Sequence, residues 1–99
     1  MKSTTPHVGW TFLTNHALVL LQIWRSPEVS VRTIAERVEI TERATFRILA
    51  ELVAAGYVSR RRVGRNNIYF VHRELRMRHP QTAHVGIEKL LESLEVVQG

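Results

Sequence analysis

Ser30-Val-Arg-Thr-Ile-Ala-Glu-Arg-Val-Glu-Ile-Thr-Glu-Arg-Ala-Thr-Phe-Arg-Ile-Leu-Ala-Glu-Leu-Val-Ala-Ala-Gly-Tyr-Val58 is the stretch on which the reading of this chain turns. Ser30 is a good N-cap, and Ile34, Ala35 and Val38 then recur at the spacing of one helical face. That helix ends near Glu39. After a tight connection through Ile40, Thr41 caps a longer helix running to about Ala55. Along it Thr45, Ile48, Leu49, Leu52 and Val53 form one inward stripe. Arg43, Phe46, Arg47, Ala50 and Glu51 fall on the other side. Gly56 is the expected left-handed terminator.

Outward from this stretch the periodicity changes. After Gly56 it falls from about 3.6 to 2, so Tyr57–Val63 and Ile68–His72 read as strands. Gly64-Arg65-Asn66-Asn67 between them suits a hairpin turn. On the N-terminal side, Thr14 or Asn15 caps a first helix to about Arg25, stopped by Ser26-Pro27. Ala17, Leu18, Leu20, Leu21, Ile23 and Trp24 make it apolar on most of its surface, as in a scaffold helix packed from several sides. Arg73 to Gln81 reads as a connector. A last helix from about Ala83 to Val97 carries Ile87, Leu90, Leu91 and Leu94 at helical spacing. Glu88, Lys89, Glu92 and Glu95 lie outside that stripe. Residues 1–13 are then an N-terminal extension, 14–79 one domain, and 80–99 a C-terminal helix.

The chain has 99 residues, one domain's worth, of which 44% are hydrophobic and 23% charged. It has no cysteine, which excludes a disulfide framework, a thiolate metal site and a cysteine nucleophile. Met1 to Asn15 has no apolar stretch long enough for a signal peptide. Ala17 to Trp24, the most apolar run, is far shorter than the ~18–20 residues that span a bilayer. A cytoplasmic protein with no membrane partner is expected.

The charge is localised. The formal net charge is +5, twelve of the fourteen basic residues are arginine, and every acid is a glutamate. Residues 57–79 carry seven arginines against one glutamate, whereas residues 1–56 are nearly balanced and 80–99 are net acidic. A basic patch on a small domain is the footprint of a polyanion partner. Arginine over lysine strengthens that reading, because its planar fork suits phosphates and guanine edges.

Two short helices joined by a tight turn, the second exposing polar side chains near its N-terminus, describe a helix-turn-helix. The first helix and the core hold the second at a fixed angle, and its outer face can enter a major groove wide enough for one helix. A basic two-stranded wing directly after it can reach along the backbone or into the minor groove. The Ser30–Val58 stretch resembles the winged helix-turn-helix of bacterial MarR-type and ArsR-type transcriptional regulators, and Arg60-Arg-Arg-Val-Gly-Arg-Asn-Asn-Ile-Tyr69 resembles their wing. The similarity spans roughly Leu13 to Val71. Its most specific pieces are Ile40-Thr41-Glu42-Arg43, then Leu49, Leu52 and Ala55-Gly56-Tyr57-Val58, and the arginine-flanked Gly64 turn.

The resemblance implies an α+β winged helix-turn-helix, with three helices and a two-stranded wing followed by a C-terminal helix. It further implies sequence-specific binding of double-stranded DNA by a homodimeric transcriptional regulator. It places Thr41, Glu42, Arg43, Phe46 and Arg47 on the recognition surface. Thr41 would cap the helix and touch a phosphate, and Arg43 and Arg47 would each clamp a guanine. Phe46 either contacts thymine methyls or belongs to the core. Arg65 matches the wing's minor-groove probe, with Asn66 beside it and Arg60, Arg61 and Arg62 for phosphates. Strand alternation predicts that at least one of those three pairs with a glutamate instead. The chain departs from these families in having no long flanking helices and no cysteine, so the resemblance names no effector. The C-terminal helix, with a complete core before it, is the candidate dimer element.

Other residues carry less. His7, His16, His72, His79 and His84 form no close helical pair and have no aspartate or cysteine company, so no metal and no cofactor are expected. No nucleophile with an orienting base, paired carboxylates or glycine-rich phosphate loop is present, so an enzyme is not expected. Trp10 and Trp24 read as core packing rather than base stacking. The competing readings are a winged-helix protein-interaction module within a larger complex and an RNA-binding winged helix.

Overall fold

The computed structural model describes residues 9–95. They form α1 (Asn15–Arg25), α2 (Val31–Val38), α3 (Glu42–Ala54), β1 (Val58–Val63), β2 (Asn66–Val71) and α4 (Ile87–Ser93). Residues 1–8 of the extension, with His7, and Val96–Val97 of the expected last helix lie outside the described residues.

Each of the first three helices starts where its cap dictates. Thr14, Ser30 and Thr41 accept hydrogen bonds from the backbone N–H of Ala17, Thr33 and Ala44 at 3.2, 3.1 and 3.0 Å. Each bond satisfies an amide that the helix itself leaves without a partner. Thr41 is exposed, so Thr41→Ala removes the cap and little else. It is expected to lower stability by about 1 kcal/mol in urea denaturation, while Thr41→Ser keeps most of it. Between α2 and α3 the chain turns in three residues. Glu39 takes the left-handed conformation at φ 67°, and the N–H groups of Glu39 and Ile40 both donate to the Ala35 carbonyl at 2.8 and 3.0 Å.

The core is built from one face of each helix and one end of the hairpin. Val19, Ile23, Ile34, Ile48 and Leu91 are essentially inaccessible to solvent, and Thr45 beside them donates from its hydroxyl to the Thr41 carbonyl at 2.9 Å. α1 buries five consecutive residues, Val19 to Ile23, as expected of a helix packed from several sides. Val53 departs from the stripe expected on α3 and is exposed. At 100° per residue it lies about 90° round from the direction shared by Thr45, Ile48, Leu49 and Leu52, at the margin of the buried face. Trp10 also departs from expectation. It is exposed, and its ring meets that of Phe12 edge to face at 4.9 Å. Trp24 is half-buried against the core.

β1 and β2 pair antiparallel, Val58 with Val71 through Val63 with Asn66. The expected four-residue loop is a two-residue turn, because Asn66 and Asn67 continue the ladder. Gly64 at φ 61° followed by Arg65 at negative φ is the arrangement of a type II′ turn, whose twist matches that of the strands it joins. The base of the hairpin is anchored by buried Tyr57, Val58 and Tyr69, and the Tyr69 N–H donates to the Pro27 carbonyl at 3.1 Å.

α4 begins at Ile87 rather than near Ala83. The preceding residues make an antiparallel bridge with the connector: Met77 N–H donates to Val85 O at 3.1 Å and Ile87 N–H to Leu75 O at 2.8 Å. Those bonds hold the segment extended, so the helix starts only after Gly86. Ile87 and Leu91 then bury against the core. Trp24 Nε1 donates to Glu95 at 2.9 Å and Arg25 donates to the Leu94 carbonyl at 3.1 Å, so the helix packs back onto α1 of its own chain.

Candidate DNA interface

All ten side chains picked out in the sequence are exposed. Thr41, Glu42, Arg43, Phe46 and Arg47 occupy the first two turns of α3, and Arg60, Arg61, Arg62, Arg65 and Asn66 run along the hairpin. Phe46 is 56% exposed, which removes the core alternative for it. One groove of ≈ 520 Å³ brings Phe46 of the first set together with Arg65 and Asn66 of the second, with Val63 and the residues at the start of α2 also lining it.

Among the described residues none of Arg60, Arg61 and Arg62 pairs with a glutamate, contrary to the expectation from strand alternation. The reason is topological: β1 has a single strand neighbour, β2, and β2 carries no acid. Arg61 lies over the Phe70 ring at 5.8 Å, and Arg62 Nε donates to the Gly64 carbonyl at 3.3 Å. Arg73, in contrast, is held by structure. It donates twice to Glu88, at 3.0 and 2.5 Å, and covers the Trp24 ring at 4.9 Å. The run of seven arginines is thus divided. Its hairpin members point to solvent as cations, and Arg73 clamps α4 to α1.

Arg47 has an intramolecular partner that the sequence reading missed. Its Nη1 donates to both oxygens of Glu51 at 3.4 Å, and Glu51 Oε1 stands 2.6 Å from His16 Nε2 on α1. The hydrogen bond with His16 is the largest influence holding the Glu51 carboxyl below its usual range, and the Arg47 charge adds to it. All three side chains are substantially exposed, and an exposed pair of this kind contributes little, so Arg47 can leave Glu51 for a phosphate or a bidentate guanine edge at small cost. The i, i+4 spacing of Arg47 and Glu51 could have disclosed the pair. Nothing in the sequence could have disclosed His16, 35 residues before Glu51.

His16 and Glu51 also border a larger groove, ≈ 720 Å³, between α1, the end of α3 and the segment leading to α4. None of the ten candidate residues lines it, whereas Phe46, Arg65 and Asn66 line the smaller groove. The other histidines of the described residues, His72, His79 and His84, make separate contacts. His72 contacts Ser59 at 2.5 Å and Glu74 at 3.7 Å, and His79 Nδ1 accepts from the Gln81 N–H at 3.0 Å. Among the described residues no three metal-ligating side chains come together. No helix there is long and apolar enough to cross a membrane.

With that geometry in place, the profile of the MarR family matches residues 10–66, from the start of the described chain to the turn of the wing. The chain belongs to the MarR family. It is accordingly a DNA-binding transcriptional regulator of the winged-helix class. Among solved structures this MarR-family chain is similar to T. potens IscR, with a TM-score of 0.59 and 18% identity over 92% of this chain and 95% of that one. At that identity the likeness speaks for the fold, an α+β winged helix. No curated protein matches the chain.

Proposed function

We propose that this MarR-family protein is a homodimeric, cytoplasmic regulator that reads duplex DNA with α3 in the major groove and the wing on the backbone or in the minor groove. The observation that supports it most is the shared groove, which sets Phe46 of α3 opposite Arg65 and Asn66 of a wing whose arginines have no acidic partners among the described residues. Arg43 and Arg47, one turn apart, present forks at the spacing from which each can take a guanine. Arg65 at the hairpin tip is the probe for the minor groove, and Arg60, Arg61 and Arg62 are the phosphate contacts. A helix alone would supply reading without affinity, and a wing alone affinity without reading.

Selection of bound duplexes from a random pool tests this. A two-fold symmetric consensus is expected, with half-sites about 34–36 Å apart, one helical turn. Binding to RNA in preference to duplex DNA, or no binding to any duplex at low salt, would overturn it. The reading element is tested separately. Arg47→Ala is expected to lose about 1–3 kcal/mol for the selected duplex and little for random DNA, since a base-edge contact discriminates and a phosphate contact does not. Fluorescence titration of both duplexes measures the ratio, and an unchanged ratio removes α3 from the reading role.

A further inference from the structure

Four aromatic rings of the described residues are largely exposed: Trp10, Phe12, Phe46 and Phe70. Three of them have company within the chain. Trp10 and Phe12 meet edge to face, and Phe70 lies beneath the Arg61 guanidinium. Among the described residues Phe46 has neither a ring nor a cation as partner. It stands on the outer face of α3, three residues after Arg43 and one before Arg47. A phenyl ring left in water is unfavourable in proportion to its exposed area, so a partner that covers it contributes to binding.

The surroundings restrict what that partner can be. Phe46 shares its groove with the aliphatic side chains of Val31, Val63 and Ile68, while Arg65 and Asn66 of the wing and Glu28, ahead of α2, stand at the same groove. Arg43 and Arg47 flank the ring along the helix. A cover for this site has to be apolar at one point and to carry acceptors and negative charge on the sides of Arg43, Arg47 and Arg65. The base edges of a duplex major groove meet that description at thymine, whose C5 methyl group is an apolar spot beside hydrogen-bond acceptors and between two phosphate backbones. A wholly apolar protein surface does not, because it would bury the adjoining guanidinium groups without partners.

We propose that Phe46 is a specificity-determining residue that contacts the C5 methyl group of a thymine in the bound duplex. This rests on the reading of α3 as the element in the major groove. In the selected duplex each thymine is replaced in turn by deoxyuridine, which deletes the methyl group and leaves base pairing intact. The wild-type protein is expected to lose about fourfold in affinity at one position of each half-site, the effect of removing one methyl group from an apolar contact. Phe46→Ala is expected to bind the parent and deoxyuridine duplexes equally, and Phe46→Leu to retain part of the preference. Circular dichroism of both variants checks that they are folded, which the exposure of Phe46 predicts. A wild type indifferent to every deoxyuridine, a consensus with no fixed thymine, or the same loss in Phe46→Ala as in wild type overturns the proposal while leaving duplex binding intact. Failure to select any duplex removes the reading of α3 and this proposal with it.

Discussion

Replacing Arg60, Arg61, Arg62 and Arg65 together by alanine is expected to lower the salt dependence of duplex binding by about three to four units of log-log slope. The magnitude follows from counterion release, in which each phosphate neutralised contributes roughly 0.9 unit on duplex DNA. Between 50 and 200 mM salt, the fall in affinity should shrink by about a hundredfold. These side chains are exposed, and none has a carboxylate partner among the described residues, so they can turn to a polyanion without breaking an ion pair. The strands are held by the backbone ladder and by buried Tyr57, Val58 and Tyr69, so the variant should keep its hairpin. Specific and random duplexes should weaken alike, which separates this result from that of Arg47→Ala. Titrations at four or more salt concentrations measure the slope. An unchanged slope would mean that the wing does not touch the backbone.

Leu91→Ala is expected to cost about 2–5 kcal/mol of stability, through lost burial and the cavity left behind. Leu91 has no exposed surface, and it joins α4 to the cluster formed by α1, α2 and α3. For a domain of this length the change corresponds to a fall in Tm of roughly 10–25 °C. A single cooperative transition shifted by that amount places α4 in the same folding unit as the winged helix. A neutral result would instead mean that α4 is detached from its own core in solution and free to serve a second copy. Calorimetry at two protein concentrations distinguishes these outcomes.

What could be read from the amino-acid order was what local physics decides. The N-caps Thr14, Ser30 and Thr41 sit within three residues of the amides they satisfy, so their helices start where the sequence says. The α3 stripe repeats within one helix, and Gly56, at φ 86°, ends it. The exposure of Thr41, Glu42, Arg43 and Arg47 was legible for a related reason: polar and basic positions on the side opposite an apolar stripe have to face solvent. Other features depended on partners far away in the chain. α4 is short because residues 85–87 bond to the connector, and Trp10 is exposed because no described element packs over it. Glu51 joins Arg47 on its own helix to His16 on another, and the groove that unites Phe46 with the wing exists only once α2, α3 and the hairpin have docked. Periodicity and capping report on a window of a few residues, whereas those contacts depend on how the helices stack, which only packing of the whole core decides.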